Sequence, residues 1–237
     1  MPTKLLLILS IIFCATLSSC SKKDIELQET NITLHYGDKY QINAKSKTPI
    51  LYTSSNNYHA EVDQTGLVSA HFVGNTTICL QNDYEEKSIN VIIEPQHHLY
   101  VEPHIAFGES KNSIINKYGN PTSSNEKTIA YKNYGLIGFS LLVMFDDNDN
   151  VNGYAVIVPT LYNSILSDFL GERYMFIGTQ DYTLIFVNGL TIKTATMVIG
   201  AKLYNTDYWA VLYAPISESK NITPNTDMLN QLNSILK

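Results

Sequence analysis

From Ile25 onward the chain is divided into short segments in which apolar and polar residues alternate, and turn residues interrupt them every 8 to 12 residues or so. The segments include IELQ, NITLHYGDKYQINA, ILYTSS, HAEVDQTGLVSAHFVGNTTICLQN and KSINVIIEP. Because no helical period of apolar residues occurs before residue 94, the pattern predicts a small β-sandwich or barrel over residues 24–94.

Two glycines and one apolar alternation define the middle of this region. Gly66 and Gly74 each follow a turn between strands, where a positive φ costs glycine nothing. The residues at period two around Gly66 are small and apolar, and they should form one inner face: Ala60, Val62, Val68 and Ala70.

These spaced positions, with Tyr52, Ser54, Ser55 and Ile78, resemble the group 2 bacterial immunoglobulin-like domain. The resemblance implies a sandwich in an extracytoplasmic protein and carries over no catalytic residues. Members of that family serve both as spacers and as ligand-binding modules, and both roles stay open here. Tyr52 occupies the usual core tryptophan position, so its hydroxyl would need a partner if it is buried.

Residues 95–104 form a linker by composition, since two prolines favour extended backbone. His97, His98 and His104 lie in this flexible stretch, and histidines whose coordination geometry nothing constrains rarely form a specific metal site. We therefore predict no metal site and no cofactor.

Residues 105–215 contain two pairs of similar segments. SIINKYG at 113–119 parallels SILSDFLG at 164–171, and YAVIVP at 154–159 parallels WAVLYAP at 209–215. The offsets of 51 and 55 residues predict a tandem repeat with units 105–159 and 160–215.

Each unit begins with a short amphipathic helix and continues as strands. Ser110 is a candidate N-cap of the first helix, Gly119 and Pro121 end it, and Gly171 ends the second helix. The predicted fold class is therefore mainly β with α+β: an immunoglobulin-like β-sandwich followed by a duplicated helix-plus-antiparallel-sheet domain.

The repeat region resembles the superfamily of β-lactamase-inhibitor-like domains and small outer-membrane assembly lipoproteins. In those families the concave sheet face binds other proteins, and aromatic side chains are frequent at such hot spots. The resemblance implies candidate binding-face aromatics, for each of which ordinary packing is the alternative: Tyr131, Tyr134, Tyr204, Tyr208 and Trp209.

The N-terminus has the order of parts of a signal peptide. Lys4 precedes an apolar run from Leu5 to Leu17, which is shorter than the roughly 20 residues that a membrane span needs. Leu17-Ser18-Ser19-Cys20 resembles the lipobox of bacterial lipoproteins, which implies cleavage of residues 1–19 and lipidation of Cys20, with residues 20–23 at the membrane. The alternative is an ordinary secretory signal with an incidental cysteine.

The other cysteines fit an exported chain without disulfides. Cys14 would leave with the signal and Cys20 would carry lipid, so only Cys79 remains as a free thiol. We expect localisation at the outer membrane through this anchor, with the periplasmic or surface face undecided.

Charge and motifs argue against two function classes. The net charge of -6 comes without a basic cluster, so nucleic-acid binding is not predicted. We found no nucleophile, zinc-hydrolase or phosphate-loop motif, and residues 105–215 contain no histidine, so an enzyme is not predicted.

Two segments keep alternatives. Asp146 to Gly153 is predicted as a polar hairpin turn, with weak cation binding as the alternative, because it lacks the glycine and glutamate of a calcium loop. Residues 216–237 are predicted as a polar tail ending in a short helix, with an apolar side formed by Leu229, Leu232, Ile235 and Leu236. We expect this helix to dock on a sheet, and a free amphipathic helix is the alternative.

Together these features predict a membrane-anchored lipoprotein that acts as a non-catalytic binding or adhesion module. A protein partner is favoured over a glycan. The rival prediction is a structural spacer or envelope-assembly factor in the periplasm.

Overall fold

The computed structural model describes residues 24–216. The predicted signal peptide, Cys20 and the predicted C-terminal helix lie outside the described residues. Within the described range, no helix is both long enough and apolar enough to cross a membrane.

The first domain contains nine strands and no helix. In chain order they are β1 (Glu26–Leu27), β2 (Asn31–Leu34), β3 (Lys39–Gln41), β4 (Ala44–Lys45), β5 (Leu51–Ser54), β6 (Ala60–Val62), β7 (Leu67–Ala70), β8 (Gly74–Gln81) and β9 (Glu86–Ile93). One sheet has the order β2-β9-β8-β5 and the facing sheet the order β3-β7-β6, while β1 pairs with β4. All pairs are antiparallel except β2 with β9.

The two sheets enclose one apolar core, as the alternation predicts. Ala60, Val68 and Ala70 are buried in it and Val62 packs against it. Gly66 adopts a φ of 80° directly beside the buried ring of Tyr52, and a Cβ there would lie 3.1 Å from the Tyr52 Cζ. The glycine thus allows both the turn and the close approach of the Tyr52 ring.

The second domain is built on one eight-stranded antiparallel sheet. Its elements are α1 (Lys111–Tyr118), β10 (Ser123–Ser124), β11 (Thr128–Lys132), β12 (Ser140–Phe145), β13 (Val151–Pro159), a 3₁₀ turn (Thr160–Tyr162), α2 (Asn163–Gly171), β14 (Met175–Gln180), β15 (Thr183–Val187), β16 (Met197–Leu203) and β17 (Tyr208–Pro215). The sheet order is β10-β11-β12-β13-β17-β16-β15-β14. Each helix therefore precedes four strands, and the last strand of each set pairs with the other at the centre.

Both faces of this sheet are buried. One face packs against α1 and α2, with Ile114, Leu166 and Phe169 as the helical contributions, and it also takes in Leu99 and Tyr100 from the segment before the domain. The other face forms a separate apolar cluster made of strand residues together with Ile177, Tyr204, Tyr208 and Ile216. The segment 95–104 thus packs on the second domain while it connects the two.

The predicted ends of both helices are confirmed. The Ser110 hydroxyl accepts a hydrogen bond from the Ser113 amide, and Gly119, with a φ of 84°, ends α1. In α2, Gly171 is the last helical residue and Glu172 is the C-cap, so the second helix ends at the predicted glycine. The short strand β10 was not predicted.

Candidate functional site

The first domain contacts the second at one end of the large sheet, where β14 and β16 begin and β15 ends. Glu172 and Arg173, which lie between α2 and β14, form the centre of this junction. The Glu172 carbonyl accepts from the Val73 amide at 2.9 Å, and the Arg173 carbonyl accepts from the Tyr58 hydroxyl at 2.6 Å. Two consecutive peptide groups are therefore held by the immunoglobulin-like domain.

The side chain of Glu172 binds the connecting segment. Its carboxylate accepts from the Gln96 amide at 2.9 Å and from the His97 amide at 3.1 Å, and it also pairs with the Arg173 guanidinium. Glu172 is almost fully buried. Burying a carboxylate costs free energy unless it is paired and hydrogen-bonded, and both conditions are met here.

Arg173 is the only arginine of the chain and is 9% exposed. Its Nε lies 3.3 Å from a carboxylate oxygen of Glu102, its Nη1 donates to the Phe169 carbonyl at 3.0 Å, and its Cζ lies 3.8 Å from the centre of the Phe169 ring. A planar guanidinium can satisfy two carboxylates and an aromatic face together, which a lysine could not do in the same way. The single cation thus joins α2, the connecting segment and the core.

Tyrosine hydroxyls continue this polar cluster into the core. Tyr174 donates to Glu102, and the buried hydroxyls of Tyr100 and Tyr213 lie 2.6 Å apart. Burial raises the pKa of Glu102 above its ordinary value, an effect that the Tyr174 hydrogen bond and Arg173 partly oppose. Burial likewise raises the pKa of Tyr58, Tyr100, Tyr174 and Tyr213.

A cleft of about 690 Å³ opens beside the junction. Asn56, Asn57 and His59 line it on the first domain, and Asn188 and Thr194 line it on the second. The Asn188 amide oxygen already accepts from the backbone of Thr196 and Met197, and the charged groups in the wall are paired with each other. The cleft therefore offers no uncompensated charge among the described residues for a charged ligand.

The opposite end of the sheet is formed by connections between strands. The β11–β12 loop, the end of β13 with its 3₁₀ turn, the β16–β17 loop and the β14–β15 turn all lie there, as the strand register requires. We call this set the distal loop row. With strands about 4.8 Å apart, the row spans roughly 29 Å from β11 to β14.

The distal loop row exposes large apolar side chains. Ile137 is 88% exposed and Tyr182 is 92% exposed, and the remaining members are Leu136, Leu161 and Leu203. Leu136 and Ile137 lie at the tip of the β11–β12 loop between Gly135 and Gly138, which both have positive φ. Adjacent exposed apolar side chains, such as Leu136 and Ile137, are the kind of surface that marks interaction sites in soluble proteins.

The structure separates the five predicted binding aromatics. Tyr131 is buried under α1, where its hydroxyl donates to the Gly119 carbonyl, and Tyr134 and Trp209 also pack against the helix-covered face. Tyr204 and Tyr208 pack against the opposite face. Four of the five nevertheless lie at the distal end, where Tyr134, Tyr204, Tyr208 and Trp209 support the loop row while remaining half-buried.

Sequence reasoning missed two features of these ends. No role was predicted for Arg173, although a single arginine beside Glu172 at a helix end is a signal for a buried ion pair. Leu136 and Ile137 were assigned no role either. The glycines on both sides of this apolar pair were the available signal for an exposed loop tip.

The segment Asp146 to Gly153 contains the hairpin turn between β12 and β13. One carboxylate oxygen of Asp146 accepts from the amides of Asn148 and Asn150, and Asp149 adopts a φ of 58°. These are turn interactions of the kind predicted. Among residues 24–216, no group of three or more His, Cys, Asp and Glu side chains is arranged to hold a metal ion.

Comparison with known proteins identifies the first domain. Residues 25–89 match the family of bacterial Ig-like domains (group 2), which confirms the predicted immunoglobulin-like sandwich. This match covers the first domain only. Bacterial Ig-like domains of this kind indicate a surface or binding module of the cell envelope. No curated protein matches the chain in sequence.

Solved structures of the S-layer protein SbsC show a distant likeness. SbsC domains 5-6 are 13% identical to this chain, with a TM-score of 0.27. The match covers 82% of this chain and 85% of the SbsC chain. For SbsC domains 4-9 the identity is 13% and the TM-score 0.27, with 83% of this chain and 27% of that chain covered. Similarity at this level carries no conclusion about the second domain.

Proposed function

We propose that the chain is an exported, lipid-anchored binding module of the bacterial cell envelope that contacts a protein partner through its distal loop row. One observation carries the proposal. The immunoglobulin-like domain holds one end of the large sheet, and exposed apolar loop tips lie at the opposite end. An anchor before residue 24 would place that opposite end farthest from the membrane.

The chemistry of the distal loop row favours a protein over the alternatives. Aliphatic tips such as Leu136 and Ile137 suit an apolar protein surface, whereas glycan sites rely on aromatic platforms and polar groups. A lipid surface would favour an excess of basic residues around the tips, but in and beside the row the two lysines, Lys132 and Lys202, are matched by two aspartates, Asp181 and Asp207. We therefore place a protein first and a glycan second.

The order of elements supports a tandem repeat in the second domain. Helix and four strands occur twice, and β13 and β17 pair at the centre as equivalent last strands. In this interpretation the sheet of one unit continues into the other. Both faces of the sheet are buried, and the loops at its distal end are one of the surfaces that the fold leaves free for contact.

The rival proposal is a structural spacer or assembly factor in the periplasm. It shares the anchor at Cys20, whose replacement in Cys20→Ser should release the protein from the membrane fraction. It differs in requiring no specific contact by the distal loop row. The binding activity proposed here is non-catalytic, since the ionisable groups at the junction are committed to one another.

A crosslinking pull-down from native membranes tests the binding role. Leu136→Ser with Ile137→Ser should reduce recovery of the partner at least tenfold, because it removes the apolar tips. Leu51→Ser is the matched control, since Leu51 is also exposed but lies on the immunoglobulin-like domain. Equal recovery of every partner by the double variant and the unaltered protein would favour the spacer. Binding of the unaltered protein to protein-free lipid vesicles would point to a membrane instead.

A further inference from the structure

The cleft beside the domain junction, about 690 Å³ in volume, is lined by three parts of the chain. The β5–β6 connection contributes residues 56–59, and the β15–β16 connection contributes residues from 188 to 194. Glu102, Arg173 and Tyr174 of the junction also line it. The volume lies within the roughly 300–1,000 Å³ of small-molecule sites, which form preferentially at domain interfaces.

Both connections are held in shape by hydrogen bonds of their own. On the first domain, the Asn56 side-chain oxygen accepts from the Tyr58 amide at 3.0 Å. On the second domain, the Asn188 side-chain oxygen accepts from the Met197 amide at 2.8 Å, and a Cβ at Gly189 would lie only 2.7 Å from a backbone nitrogen of the same connection. The cleft is therefore formed before a ligand enters, which lowers the entropic cost of binding.

Neutral polar groups in the cleft have hydrogen-bonding capacity that the fold does not use. Within residues 24–216, the Asn57 side-chain amide makes no hydrogen bond, and of the Asn56 side chain only the oxygen does. His59 Nδ1 lies 3.0 Å from the Phe72 carbonyl oxygen, which places the proton of the neutral ring on Nδ1 and leaves Nε2 as an acceptor. The wall from the first domain thus offers both donors and acceptors.

This chemistry selects the class of ligand. Arg173 and Glu102 pair with each other, so a charged ligand finds no free counter-ion in the lining. None of the lining residues belongs to the large exposed apolar side chains of residues 24–216, which a protein partner would use as anchors. Sugar hydroxyls donate and accept, as the free amide of Asn57 does. The half-buried Tyr58 ring, stacked on Phe72 at 4.7 Å, adds apolar surface.

We infer that this cleft is a second binding site, which takes a short neutral saccharide of one or two sugar units. It is separate from the distal loop row and does not depend on the protein partner proposed for that row. Because both domains line the cleft, the bound sugar would contact both and stabilise their junction.

Isothermal titration calorimetry on the purified full-length protein tests the inference. The probes are four neutral disaccharides, namely maltose, cellobiose, lactose and diacetylchitobiose, with glucose 6-phosphate and glucosamine as charged comparisons. At least one neutral probe should bind with a Kd of about 1 mM or below, and the charged probes should not bind. The bound sugar should also raise the thermal unfolding midpoint.

Variants locate the site. Asn57→Ala removes a free amide from the cleft and should weaken sugar binding at least fivefold without changing the unfolding midpoint, while Leu190→Trp fills the cleft from the second domain and should abolish binding. Asn120→Ala, another exposed asparagine outside the cleft, is the matched control and should bind normally. Leu136→Ser with Ile137→Ser should also bind normally, because the distal loop row is a different surface.

Four results would overturn the inference. They are no binding of any neutral disaccharide at millimolar concentration, binding of the charged probes alone, unchanged binding in Asn57→Ala, and loss of sugar binding in the distal double variant. If Leu190→Trp lowers the unfolding midpoint, the comparison of Asn57→Ala with Asn120→Ala decides, because both of these asparagines are exposed.

Discussion

The two ends of the eight-stranded sheet differ in what they do with polar and apolar groups. At the junction end, Glu102, Glu172 and Arg173 are brought together between two domains and satisfy one another. At the distal end, Leu136, Ile137 and Tyr182 extend into solvent. Solvation alone would favour exposed charged groups and buried apolar groups, and the two ends show the reverse. The stability of the loops at each end therefore does not explain which residues lie there.

This contrast shows how a small immunoglobulin-like domain can orient a second domain. Contacts between domains of one chain are often loose enough for relative motion. Here the contacts are hydrogen bonds from Tyr58 and Val73 to two adjacent carbonyls, together with the buried ion pairs. Directional bonds of this kind fix an orientation, which an apolar contact of equal area would not.

The largest effect on stability should come from Arg173→Met. The change leaves Glu172 and Glu102 without their cation, and breaking a buried pair in this way costs about 3–5 kcal/mol. Urea unfolding measures the loss. Lys132→Met, which removes an exposed cation near the distal end, is the control and should leave the midpoint nearly unchanged. A loss at Arg173 no larger than at Lys132 would mean that the junction is not held by this pair.

Tyr213→Phe should have the next largest effect. It removes one member of the buried hydroxyl pair and leaves the Tyr100 hydroxyl without that partner, at a cost of about 1–3 kcal/mol. Thermal or urea unfolding measures this. Tyr182→Phe is the matched control at the distal end, where the side chain is 92% exposed, and it should be neutral.

A smaller, pH-dependent effect is expected for Glu102→Gln. Because burial raises the pKa of Glu102, the folded state binds its proton more tightly than the unfolded chain does. Its contribution is therefore fully present below the ordinary pKa of 4.5 and is lost as pH rises through the raised value. The stability of the unaltered protein relative to Glu102→Gln should fall from pH 4 to pH 7, by linkage. A difference that rises with pH would contradict the assignment.

The smallest effect on stability should come from Leu136→Ser with Ile137→Ser. Exposed side chains away from special features change stability by less than about 0.5 kcal/mol, so the unfolding midpoint should be preserved. Ile114→Ala, which removes the buried side chain of α1 itself, is the contrasting change and should cost about 2–5 kcal/mol. Strong destabilisation by the loop variant would show that the tips pack against the molecule itself.

Much of the fold followed from local patterns. The alternation around Gly66, the N-cap at Ser110 and the hairpin at Asp146 depend on near neighbours, so the sequence predicted them. The prediction of one binding face with both Tyr131 and Tyr208 was wrong, since they pack on opposite faces of the sheet. The face that a strand residue occupies depends on its register with distant strands, which local patterns do not give. The junction could not be predicted from the sequence for the same reason, since Tyr58 and Arg173 are separated by 115 residues.

The central claim is that Arg173 and its partners hold the two domains in one fixed orientation. The distance between the domains tests this claim most directly. Spin labels at Leu51→Cys on the immunoglobulin-like domain and Tyr182→Cys in the distal loop row, with Cys79→Ser, report it by pulsed electron paramagnetic resonance. A rigid junction predicts one narrow distance distribution, which broadens in Arg173→Met and stays narrow in Lys132→Met. A broad distribution in the protein with Arg173 intact would contradict the account.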